Sequence, residues 1–273
     1  MINADDFGIS GNINQGILEA ARAGKINAIS LISCGRFFLN HLDQLKATGK
    51  DLGIHLTITQ ETPVTEPESV PSIVDGSGRF LSMEGFLKRY FQGKVDPMHV
   101  YVEWKNQILQ LLRHGIPPTH MNSHQHLHIL PKTLMVAKRL KREFGIRYMR
   151  FEPLEPWRLF FRIPKKLPFL LTKAMATLMK VLIIPSETDH PFIGVGFSGG
   201  RLDLRALKEV LTNMRSLSFF ELNIHPGFNT GAGVDTYLHW RFDWESDLRL
   251  IFHESFHGLL AEFHLTPCGF QGL

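Results

Sequence analysis

Four short stretches of this chain gather the residue types that hydrolytic chemistry uses. Asn3-Ala4-Asp5-Asp6-Phe7-Gly8 sets two adjacent carboxylates just after Met1 and Ile2. Successive side chains of a strand point opposite ways, but at a frayed strand end both can reach one rim. There one carboxylate could bind an ion while the other takes a proton from water. A helix N-cap with a second charge on the dipole would use the same pair structurally. Gly53-Ile54-His55-Leu56-Thr57 places a histidine in an apolar run, where it reads either as a ligand or as a satisfied core residue. Asn122-Ser123-His124-Gln125-His126-Leu127-His128 is the strongest local signal. Neutral imidazole is the commonest nitrogen ligand of divalent metals, and packing alone does not call for three so close together. Not all three need bind, and His126 and His128 are supporting candidates with no fixed role. Glu221-Leu222-Asn223-Ile224-His225-Pro226-Gly227 ends an apolar run in turn residues that expose His225. That histidine reads as a general acid for a leaving group or as a turn cap. One carboxylate and two imidazoles make the ligand set of many catalytic sites that keep a position open. A further carboxylate and histidine would supply base and acid. Arg150 could orient Asp5, bind substrate or sit in a surface salt bridge, and Glu221 joins the supporting candidates.

These residues need elements to hold them. Apolar runs at Ala28–Ser33, Leu52–Ile58, Thr119–Asn122, Arg147–Phe151 and Phe219–Ile224 predict strands. Amphipathic stretches at Asn14–Ala23, Met98–His114, Pro131–Phe144, Leu204–Met214 and Ser246–Leu260 predict helices. Gly145 is the expected cap of the third. Strand–helix alternation implies a parallel sheet with crossover helices, and the polar motifs all fall at strand C-termini. Both (β/α) barrels and doubly wound sheets bind ligands there, so placement alone does not separate them. Gln60–Gly93, rich in Pro and Gly, predicts a long loop over the rim. Trp157–Pro185 predicts a second insertion. Pro164, Lys165, Lys166, Pro168, Lys173 and Lys180 interrupt its apolar run, so it is no clean membrane span. It reads as a subdomain packed on the barrel or against a dimer partner, or as a patch that meets a membrane surface or lipid-linked substrate.

The 273 residues suit a single barrel domain over 1–273. A hydrophobic fraction of 44% and a charged fraction of 21% belong to a soluble globular chain. The net charge of +4 comes with no segment that joins clustered Lys and Arg to stacking aromatics, so no nucleic-acid partner is expected. Cys34 and Cys268 form no CxxC pattern, and no basic start leads an apolar run, so a cytoplasmic setting without disulfides is expected.

With these motifs in view, the chain resembles the YdjC-like family of carbohydrate deacetylases, which includes chitooligosaccharide deacetylases. NADDFG, GIHLT, NSHQHLH and ELNIHPG stand in the family's order and at similar separations, over nearly the whole chain. The resemblance implies an irregular, TIM-like (β/α) barrel with its active site at the C-terminal ends of the strands. It implies Asp6, His55 and His124 as metal ligands, Asp5 as general base and His225 as general acid. It further implies one magnesium or zinc ion, and frequent dimers. The implied reaction removes an N-acetyl group from an amino sugar, either chitooligosaccharide-like or lipid-linked N-acetylglucosamine. The chain departs from the family in its short lead before NADDFG and in Asn122, where Asp is common. Trp157–Pro185 resembles the hopanoid-biosynthesis-associated branch. Two competing readings remain: a metal-dependent phosphoesterase or amidohydrolase, expected to carry ligands for a second ion, and a non-catalytic sugar- or lipid-binding module.

Overall fold

A computed structural model describes residues 1–160, 167–182, 188–197, 199–214, 219–233, 237 and 239–273. Its centre is a closed barrel of strands in chain order, each parallel to the next. The strands are β1 (Ile2–Phe7), β2 (Ala28–Leu31), β3 (Asp51–Leu56), β4 (His120–Ser123), β5 (Tyr148–Pro153), β6 (Asp189–Ile193) and β7 (Glu221–Ile224). β1 closes the ring on β7, with Ile2, Asn3 and Ala4 opposite Leu222, Asn223 and Ile224. The helices are α1 (Gly11–Arg22), α2 (Leu42–Lys46), α3 (Met83–Phe91), α4 (Pro97–Arg113), α5 (Pro131–Glu143), α6 (Trp157–Phe160), α7 (Leu167–Leu182), α8 (Leu204–Thr212), α9 (Trp244–Phe252) and α10 (Glu254–Glu262). The fold is the (β/α) barrel that the sequence predicts.

Alternation along the strands separates two environments. Ile2, Ala4, Ile29, Leu31, Ile54, Leu222 and Ile224 join the apolar core with helix residues such as Ile13, Ile17, Trp104 and Ile108. The intervening positions Asn3, Asp5, Ser30, His55, Asn122, Arg150, Glu221 and Asn223 are polar, yet none is more than 2% exposed. Barrels of this class more often fill the interior with branched apolar side chains, so hydrogen bonds must hold this one. At its floor His120 meets Ser30 Oγ at 3.1 Å and stacks on Phe270 at 4.2 Å. Gly53 makes room for that ring, because a Cβ there would lie 2.4 Å from His120 Nε2. Outside, Asp96 caps α4 by accepting from Met98 N at 2.8 Å, with Pro97 in the first turn.

The structure departs from the sequence reading in places. β1 is a full six-residue strand despite the short lead before the carboxylates, with ladders on both sides. The predicted helix over Ser246–Leu260 is two helices: His253 has extended backbone that stops α9, and its Nδ1 accepts from Ser255 N to cap α10. β6, with Pro191 at its centre, went unread. The 60–93 region is not all loop, since α3 lies within it and Val74 pairs with Phe80. The 157–185 region contains α6 and α7, while residues 161–166 and 183–185 lie outside the described residues. Ala176 of α7 packs with Ile129, Phe192 and Val195, and Leu178, Val181 and Leu182 are exposed. Among the described residues no helix is long and apolar enough to cross a membrane. Both cysteines are free.

Candidate metal centre and catalytic pocket

The C-terminal ends of β1, β3 and β4 bring Asp6, His55 and His124 together. One ligand atom of each lies within 4.8 Å of the others, and all three residues are buried. Alternation would turn Asp6 away from Asp5, but Asp6 has φ 73° and the β1–β2 register shifts between Ala4 and Phe7. This left-handed residue swings the second carboxylate onto the rim. Asp6 Oδ1 then lies 3.3 Å from His55 Nε2 and 3.0 Å from His124 Nδ1.

Neighbours set the tautomers. Asn122 Nδ2 donates to Ser30 Oγ at 2.8 Å and to Asp5 Oδ1 at 3.3 Å, so its Oδ1 is left to accept from His55 Nδ1 at 2.6 Å. That directs the Nε2 lone pair of His55 at Asp6. His124 Nε2 donates to Gln60 Oε1 at 3.2 Å, which directs its Nδ1 lone pair at the same oxygen. Two imidazoles and a carboxylate that converge in this way make a donor set that could hold a divalent metal.

Asp5 lies one position below, in the barrel interior. Its Oδ2 accepts from Arg150 Nη1 at 2.7 Å, and its Oδ1 accepts from Arg150 Nη2 at 3.0 Å and Asn3 Nδ2 at 2.8 Å. Burial would raise its pKa, but Arg150 and then His55 outweigh it, so Asp5 stays ionised below the usual range. Arg150 also donates through Nε and Nη2 to Glu221 Oε1, and Glu221 Oε2 accepts from His190 Nε2 at 2.6 Å. The guanidinium therefore spans two carboxylates in a buried chain from β1 through β5 and β7 to β6. Such a network is stable only when every member is paired.

The opposite wall carries His225, beyond the end of β7. Its backbone N–H donates to Asp247 Oδ2 at 2.9 Å, while its Nδ1 lies 3.9 Å from that oxygen, too far for a hydrogen bond. Burial pushes the Asp247 carboxyl up to about 6, against the pull of His225. Gly16 lets this turn close on α1, since a Cβ there would lie 2.5 Å from Gly227 Cα. Trp240 lies against His124 at 5.4 Å between ring centroids, with Tyr237 and Phe242 beside it.

Of the remaining candidates, His128 is committed to packing. Its Nδ1 meets Ser123 Oγ at 2.6 Å and its Nε2 donates to Arg150 O at 2.7 Å, and burial pushes its pKa down to about 4. His126 lies against Phe192 at 5.0 Å with its Nδ1 unpartnered. Asn122, Gln60, His190, Asp247 and Trp240 were not among the predicted site residues. Asn122 alone carried a signal, as a polar residue next to the histidine cluster.

Fold and site define a (β/α)-barrel protein with an Asp-His-His group that could hold a metal at the C-terminal rim and a buried Asp–Arg pair beneath it. The YdjC-like protein family matches residues 1–262, and the chain belongs to that family. A carbohydrate deacetylase of Enterococcus faecalis is 30% identical over 243 residues, 87% of this chain and 82% of the relative. One of Brevibacillus brevis is 26% identical over 230 residues, 84% and 81% of the two chains. A human carbohydrate deacetylase is 31% identical over 159 residues, 57% of this chain and 48% of its own. In fold, the chain is similar to a solved structure of a candidate cellobiose-phosphate cleavage protein from Enterococcus faecalis V583. The TM-score is 0.76 at 23% identity, over 100% of this chain and 97% of the other.

Proposed function

We propose that this protein is a metal-dependent hydrolase that removes the acetyl group from an N-acetylated amino sugar. The convergence of Asp6, His55 and His124 beside a carboxylate held by Arg150 carries the reading. The carbohydrate deacetylases related to this chain support it. A divalent ion, zinc or magnesium, held by the triad would polarise the amide carbonyl and lower the pKa of water.

The chain's own residues supply the rest. Asp5 takes a proton as water adds to the carbonyl carbon. Arg150 fixes the orientation of Asp5 and balances its charge, which leaves His55 and Asn122 to set the angle between base and triad. His225 gives a proton to the sugar nitrogen as the C–N bond breaks, releasing acetate and a free amine. Asp247 anchors the backbone of His225 and so sets where its ring stands. Trp240 offers an aromatic face beside His124 against which a sugar ring can pack.

The test is acetate release from a panel of N-acetylated sugars, with metal removed and with zinc or magnesium restored. Release that depends on metal supports the reading. Metal binding without release from any sugar, alongside turnover of phosphate esters, would replace it with a phosphoesterase.

A further inference from the structure

His225 stands just beyond β7 with its backbone and ring held from several sides. Its N–H donates to Asp247 Oδ2, and Gly227 N donates to Trp244 O at 3.3 Å, so the turn is pinned to the start of α9. Phe242 meets the ring edge-on at 6.0 Å between centroids. Both His225 and Asp247 are buried, and across their contact two atoms lack a partner, His225 Nδ1 and Asp247 Oδ1. The imidazole nitrogen lies 3.9 Å from Asp247 Oδ2, roughly 1 Å beyond a hydrogen bond. A small turn of either side chain closes that gap. The hydrogen bonds of catalytic groups commonly tighten in this way only when substrate is seated.

Charge leaves one acceptor for that nitrogen. The charged or titratable groups that act on His225 are Asp5 and Asp6 of β1, His126 of the histidine cluster and Asp247 of α9. Asp5 is spent on Arg150, Asp6 faces His55 and His124, and His126 offers no anion. Asp247 in turn faces His225 and Asp243, and Asp243 is paired with Arg249. Burial pushes the Asp247 carboxyl up to about 6, so at neutral pH it is a buried anion. Among the described residues its cationic neighbour is His225, and a buried charge is tolerated only when paired.

We propose that Asp247 is the positioning residue of the general acid: its carboxylate takes the Nδ1–H of His225, which leaves the Nε2–H to face the substrate. As the C–N bond breaks, its electron pair goes to the sugar nitrogen and the Nε2 proton follows. The imidazole is left neutral, with its Nδ1–H still donated to Asp247. The carboxylate thus fixes the tautomer as well as the place of the ring. This rests on the deacetylase reading and adds the residue through which its acid works.

Nitrogen NMR of the zinc-loaded full chain, with isotope-labelled histidine, reads the tautomer directly, and His225→Gln assigns the signal. The wild type is expected to carry a slowly exchanging proton on His225 Nδ1 at neutral pH. Asp247→Asn keeps an oxygen for the backbone N–H but turns its NH2 toward Nδ1, so the ring switches to the Nε2–H tautomer. In that variant kcat for N-acetylated sugars falls roughly 10²-fold or more with KM little changed, and the alkaline fall in kcat begins at lower pH. Asp247→Glu, which keeps the charge, restores part of the rate. A wild type with no proton on His225 Nδ1 overturns the proposal, whether or not any variant folds. So does an Asp247→Asn variant that keeps that proton, or one whose kcat matches the wild type at every pH. The tautomer is read without turnover, so an Nδ1 proton that depends on Asp247, with no acetate released from any sugar, retains the pairing and removes the deacetylase reading.

Discussion

The two sides of the pocket are built differently. On the β1–β3–β4 side, Asp5, Asp6, His55, Asn122 and His124 carry no buried polar atom without a partner. On the β7 side, Asn223, His225 and Asp247 do. On the first side, hydrogen bonds from Arg150, Asn3 and Asn122 orient Asp5 and His55 in the free protein, although Asn3 Oδ1 and His126 Nδ1 have no partner. Such preorganisation keeps the cost of reorganising out of the reaction step. The second side is left for a ligand to complete. Under the proposed function, metal and base fall in the first half and proton donation in the second.

Variants can break this contrast, and the largest effect belongs to His225. His225→Ala should lower kcat roughly 10²- to 10⁴-fold, the usual worth of a general acid, while denaturant unfolding shows little loss of stability. A comparable loss of stability would make His225 structural. On the rigid side the order reverses. Arg150→Met leaves Asp5 and Glu221 as buried charges without their shared partner, and should cost about 3–5 kcal/mol of unfolding free energy. A loss below about 1 kcal/mol would mean that the network relaxes by taking up protons. Gly53→Ala pushes a methyl group into His120 and should cost about 1–3 kcal/mol, measured in the same way.

A further effect depends on pH. Glu61 is 6% exposed, and burial pushes its carboxyl from 4.5 up to about 7. The folded chain thus holds a proton that the unfolded chain has released. This contribution to stability is complete below pH 4.5 and is lost as pH rises through about 7. Glu61→Gln should flatten the fall in denaturant midpoint across that window. An unchanged slope in the variant would show that another group carries it.

Much of the rigid half was legible in the sequence because its chemistry lies in short motifs at strand ends. NADDFG, GIHLT and the histidine cluster each deliver one ligand to the triad. The way Asp5 and Asp6 divide was not legible, since it depends on a left-handed backbone at Asp6 and a register shift in β1. Supporting partners were harder still. Asp247 meets His225 from a helix 22 residues away, and His190 lies in a strand masked by Pro191.

Metal and base can be separated in one set of samples. Zinc stoichiometry and acetate release would be measured together for the wild type, Asp5→Asn and Asp6→Ala. The wild type should hold one tightly bound ion and release acetate. Asp5→Asn should retain the ion with release reduced roughly 10²- to 10⁴-fold, and Asp6→Ala should lose both. Loss of the ion from Asp5→Asn, or full activity in that variant, would contradict the division between the two adjacent carboxylates.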